Sequence, residues 1–121
     1  MKKQIEIKPN VPNKNGIIYT EKCLEEAFKK FMDSKIVRYV TTGPPDSDGL
    51  FVDMRNVIAR VDGIEKIDNK YIADCNVLFK REIHELLLDN LELKVAAVGI
   101  VDEKNIVNEM NILCLYVESN V

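Results

Sequence analysis

Apolar and polar residues alternate from Lys3 to Lys8, with Ile5 and Ile7 on one side, and Pro9 stops the run. A period of two belongs to a half-buried strand, so the chain is expected to open on one. Asn10 to Gly16 then has the composition of an ordered tight loop with some left-handed backbone, through Pro12, Asn13, Asn15 and Gly16. After Tyr19 the period changes. Thr20 is placed to cap a helix whose first turns carry Glu21, Glu25 and Glu26, which favour the positive end of the helix dipole. Cys23, Leu24, Ala27, Phe28, Phe31 and Met32 recur at helical spacing, which predicts one buried face and an end near Asp33 or Ser34.

Ile36 to Thr41 reads as extended, and Gly43 to Gly49 as a loop in which almost every residue disfavours regular structure. Leu50 to Val61 and Tyr71 to Phe79 are rich in Val, Ile and Tyr, and the turn-forming Asp68-Asn69 between them predicts an antiparallel hairpin, extended by Ile64 and Ile67. Lys80 to Asn90 returns to helical spacing through Ile83, Leu86 and Leu87. Leu93 to Val101 is an apolar run containing Ala96, Ala97 and Gly99. Asn105 to Val107 and Met110 to Val117 read as two closing strands, the last apolar on both faces. No internal repeat or linker interrupts the chain, so residues 1–121 are expected to form one domain.

Composition narrows the function more than the fold. A net charge of -3 over 121 residues offers no general attraction to phosphate backbones or anionic lipid. Cys23, Cys75 and Cys114 are far apart, odd in number and without a C-x-x-C pair, against a disulfide framework or a zinc site. Polar Gln4, Glu6 and Lys8 leave no apolar stretch for a signal peptide, and no window is apolar enough to span a bilayer. Neither cofactor, nucleic acid nor membrane is expected.

The stretch Asn13-Lys14-Asn15-Gly16-Ile17-Ile18-Tyr19-Thr20, running into the amphipathic helix, resembles the N-x-N-G-R-x-Y-P opening of the prohead (capsid-maturation) proteases of tailed phages. Gly43-Pro44-Pro45 falls where that family has a G-x-x-H-P segment. Residues 56–61 with 71–78 resemble its central strand pair, 94–100 its V-S-S-R-G-x-G strand, and 106–108 with 111–113 its closing strands. The resemblance implies an α+β fold: a β-rich, mostly antiparallel, barrel-like sheet flanked by two helices.

The catalytic residues of these serine proteases do not carry over. Gly43 stands at the family's histidine, and Ala96 and Ala97 at its serine pair. Acyl transfer needs a nucleophile and a base within hydrogen-bond reach, and both positions are lost. The single histidine, His84, falls in the second helix with no paired nucleophile nearby in sequence, and Ser34, Ser47 and Ser119 lie at a helix end, a loop and the C-terminal tail. Cys75 and Cys114 sit in apolar strands, where a thiol behaves as a small hydrophobe. Asp46, Asp48 and Asp53 around Gly49 lack the spacing of a calcium loop, and Lys29, Lys30, Lys35 and Arg38 are interleaved with acids as on a solvated face.

These readings lead to the expectation of a non-catalytic phage structural or assembly protein that uses a prohead-protease-like scaffold for protein contacts, in the host cytoplasm or the virion. Its expected partners are capsid or assembly proteins and further copies of itself, along an exposed edge at Leu113, Leu115 and Val117. Two alternatives stay open: a small accessory factor that inhibits a host or defence component, and a residual hydrolase with a Cys or Ser nucleophile and His84 as base.

Overall fold

The structure, a computed structural model, describes residues 1–35, 37–45, 53–79 and 81–118. Among the described residues, seven strands and two helices follow in the order β1 (Lys2–Ile5), β2 (Ile18–Tyr19), α1 (Glu21–Asp33), β3 (Tyr39–Thr42), β4 (Val57–Ile67), β5 (Lys70–Val77), α2 (Arg81–Asn90), β6 (Glu92–Val101) and β7 (Ile106–Glu118), with a 3-10 turn at Met54–Asn56. The sheet runs β7-β3-β4-β5-β1-β6 and closes by pairing of β6 with β7, while β2 adds to the other side of β7. The closure explains why one sheet buries its own core: Ile5, Val40, Val61, Ala73, Leu93, Leu115 and Val117 from six different strands share one cluster, each at most 2% exposed.

The long ladders, β4–β5 and β6–β7, are antiparallel, as are β1–β5 and β3–β4. The expectation of a mostly antiparallel sheet is therefore met only in part, because β1–β6, β2–β7 and β3–β7 are parallel. Parallel neighbours need a crossover through other elements, and turn signals between adjacent strands do not report them. The hairpin at Asp68-Asn69 forms as expected, both residues taking positive φ.

α1 matches its expected limits. Thr20 accepts a hydrogen bond from the Cys23 amide at 3.1 Å, and Cys23, Leu24, Ala27, Phe28 and Phe31 are all buried. The helix lies against β7 and β4, Phe28 tilts onto Tyr71 with ring centroids 4.7 Å apart, and Lys66 pairs with both Glu21 and Glu25. α2 packs on β5 and sends Leu88, fully buried, into the core, with Leu87 and Leu91 packed beside it. No described helix is long and apolar enough to cross a membrane.

Two expectations for the C-terminal part are corrected. The expected strands Asn105 to Val107 and Met110 to Val117 are one, Ile106–Glu118, with Asn105 left in the turn before it at φ 62°. A β-bulge absorbs the apparent break, where Asn108 is passed over between the Val101–Val107 and Ile100–Glu109 pairs, and a second passes over Leu113 between Ala97–Ile112 and Ala96–Cys114. Leu115 and Val117 likewise do not lie on an exposed edge: there β7 is bonded to β6 on one side and to β3 on the other, and both are core residues, while Leu113, half-buried at its bulge, falls between the stretches of β7 that pair with β2 and with β3. The strand is apolar on both faces because both are covered there.

Candidate functional site

The Asn13–Thr20 motif works through backbone geometry. The Asn13 side-chain oxygen accepts from the amides of Asn15 at 2.8 Å and Ile17 at 3.0 Å, and the Gly16 amide donates to the Asn13 carbonyl at 2.9 Å. Gly16 has φ +78°, in the left-handed region that glycine enters without steric cost. Asn10, itself at φ 62°, accepts the Glu21 amide at 3.3 Å and so satisfies one of the first donors of α1. The loop thus aims α1 at the barrel.

Gly43, Ala96 and Ala97 lie along the β3–β7–β6 part of the barrel. Ala96 pairs with Cys114, and Thr41 with Tyr116 on the opposite side of β7. Thr41, Cys114 and Ala96 are buried at 3%, 0% and 9% exposure, yet none belongs to the main core cluster. They form a small row on the other face of the sheet. Ala97, beyond the bulge, is exposed.

Thr41 Oγ1 donates to the Gly43 carbonyl at 2.9 Å and lies 4.0 Å from Cys114 Sγ. Burial pushes the Cys114 thiol up, and the Thr41 contact offsets this only partly. Gly43 donates its amide to the Val117 carbonyl at 3.1 Å and has φ +76°. A histidine in that backbone conformation would cost about 1–2 kcal/mol, so the turn favours glycine.

The other candidate nucleophiles are no better placed. Burial is the first cause raising the thiols of Cys23 and Cys75, the latter to about 11. His84 sits in α2 with Nδ1 on the Leu78 carbonyl, and has no hydrogen bond to any of the three cysteines. Ser47 and Ser119, like Asp46 and Asp48, lie outside the described residues. Asp53 caps the 3-10 turn and pairs with Arg55 at 2.9 Å, and no cluster able to hold a metal ion occurs among the described residues. In the basic cluster, Arg38 donates to the Ser34 and Val61 carbonyls, tying the end of α1 to β4.

The sequence reading missed two features here. Thr41 meets Cys114 only because β3 and β7 are parallel neighbours, a pairing with no local signal. The second is the outer edge of β6. Its single pairing on that side is Leu93 with Ile5, and from Ala97 to Val101 every residue is exposed, Val98 at 56% and Ile100 at 75%. Beside the start of this edge lies a hollow of about 460 Å³ between the Glu6–Asn15 segment and β6, with Lys8, Lys14, Lys94 and Tyr116 on its walls.

Fold and site together define a closed, mixed six-stranded barrel in which Ala96 on β6 pairs with the buried Cys114 on β7. No protein-family model and no curated protein sequence matches the chain. Among solved structures it is similar to the bacteriophage T4 capsid assembly protease, gp21, with a TM-score of 0.76 and 17% identity over 93% of this chain and 77% of that one. The likeness is one of fold.

Proposed function

We propose that the chain is a non-catalytic phage structural or assembly protein that uses a prohead-protease-like barrel for protein–protein contacts in the capsid or virion. One observation carries this reading. Within a barrel similar to a capsid assembly protease, the strand resembling the family's serine strand presents Ala96 and Ala97, and the reactive side chain nearest in the ladder, Cys114, is fully buried. A buried, protonated thiol with no base beside it is neither accessible to a substrate carbonyl nor activated for attack. What the barrel retains is its shape, and shape serves binding.

The test is to mix the purified chain with the major capsid protein and the other prohead proteins of its phage and to quantify the chain in purified particles. A stable complex, or many copies per particle, is the expected result. Binding to no prohead component together with absence from particles would overturn it in favour of an accessory factor directed at the host. Cleavage of prohead proteins by the wild-type chain, lost on His84→Ala, would instead establish a residual hydrolase.

A further inference from the structure

We infer that the outer edge of β6 is a self-association surface, on which two copies of this chain pair antiparallel through Val95–Val101 about a twofold axis at Val98. An unpaired strand edge carries a row of unbonded amides and carbonyls, and folded proteins usually blunt such edges with charge, proline or a covering segment. Here the residues from Val95 to Val101 include no charge and no proline, and five in a row are exposed. The strand has been carried past the end of the barrel: its partner β7 stays anchored there by buried Val107 and Met110, and β6 is left outermost.

The close backbone approach at Gly99 fixes this arm in place. A Cβ added there would stand 2.9 Å from Met110 Cβ and 3.0 Å from the Glu109 carbonyl oxygen. The edge is therefore presented on a tightly packed hairpin, with little ordering left to be done on pairing.

Charge identifies a second copy as the occupant. In an antiparallel register centred on Val98, Val95 faces Val101, Ala96 faces Ile100 and Ala97 faces Gly99 of the other copy, so the apolar run meets itself. At each end Lys94 of one copy then faces Asp102 of the other, on the same side of the new ladder. Asp102 is held in place because its Oδ1 accepts the amides of Lys104 at 2.8 Å and Ile106 at 2.9 Å. The turn that carries Asp102 and Glu103 would arrive beside the hollow walled by Lys8, Lys14 and Lys94 together with Glu6, Glu92 and Glu118, where Lys94 also lies 3.8 Å from Glu118 of its own chain, so the charge match rests on the two Lys94–Asp102 pairs. Such a contact is isologous and closes at two copies.

The inference does not rest on the virion role: failure to pair would leave that role standing, and absence from particles would leave the pairing standing. Its test combines sedimentation velocity from micromolar to near-millimolar concentration with site-directed cross-linking of Val98→Cys. The native thiols are all buried, and directly opposed residues of an antiparallel pair lie within disulfide reach. We expect a concentration-dependent dimer and rapid disulfide-linked dimer from Val98→Cys, but not from Ile67→Cys, a control that is exposed on the β4–β5 hairpin. Val98→Lys should weaken dimerisation by roughly tenfold or more through like charges on the axis, with an unchanged melting curve. A monomer at every concentration would overturn the proposal. So would Val98→Cys cross-linking no faster than Ile67→Cys, or Val98→Lys dimerising like wild type.

Discussion

Leu115→Ala separates a core strand from a contact surface at the point where sequence and structure disagree. Leu115 is fully buried, paired with Val40 on one side and Val95 on the other, and belongs to the main core cluster. Truncation removes its apolar burial and leaves a cavity that a barrel bonded on both sides cannot collapse into, which places the cost at about 2–5 kcal/mol. That is a large share of the roughly 5–15 kcal/mol that hold an ordinary domain. With about 2.1 cal/mol/K of unfolding entropy per residue, a chain of 121 residues loses about 4 °C of melting temperature per kcal/mol. The expected drop is then on the order of 8–20 °C. Urea unfolding followed by circular dichroism gives the free energy, and thermal melts give the temperature. Leu113→Ala, at the half-buried bulge, should cost less than Leu115→Ala in both assays. A cost below about 1 kcal/mol for Leu115→Ala, accompanied by loss of self-association or of a prohead partner, would refute the reasoning and return β7 to an interface role.

Three further outcomes follow from the same packing. The Cys75 thiol, pushed up to about 11 mainly by burial, keeps its proton in the folded chain at pH values where the unfolded chain releases it. Below the ordinary thiol pKa the group is silent, and stability falls as pH rises from there through about 11, by up to about 2–3 kcal/mol. Comparing the slope of stability against pH between wild type and Cys75→Ala checks this, and identical alkaline slopes would contradict it. Gly99→Val should destabilise by about 1–3 kcal/mol in urea unfolding, because Met110 and the Glu109 carbonyl already occupy the space, and a neutral result would mean the hairpin is looser than its contacts indicate. Thr20→Ala removes the bond to the Cys23 amide and should cost about 1 kcal/mol by the same assay, whereas Thr20→Ser should recover most of it.

Much of the local structure was legible in the residues. Thr20 and the spacing of Cys23, Leu24, Ala27, Phe28 and Phe31 specified α1 to within a residue of its observed end, because cap and amphipathic face are properties of one short segment. Asp68-Asn69 specified the β4–β5 hairpin for the same reason, since the turn conformation is carried by the two residues that adopt it. That Gly43, Ala96 and Ala97 are small was equally plain, since residue identity needs no coordinates.

The reading of an exposed edge failed at Leu115 and Val117 because an apolar strand looks the same whether it is an exposed edge or a strand bonded on both sides. Only its neighbours distinguish the two, and β3 and β2 reach β7 by parallel crossovers with no local signature. The contact of Thr41 with Cys114 has the same origin, whereas the bulge at Asn108 that merges two expected strands into one lies in the antiparallel β6–β7 ladder. The sequence by itself determined the two helices and the β4–β5 hairpin, because caps, spacing and turn residues act within one short segment. Tertiary structure alone decided which strand is interior and which is left as an edge, because closing a barrel is a matter of which distant segments pair, and pairing energy is spread over backbone groups that every residue carries alike.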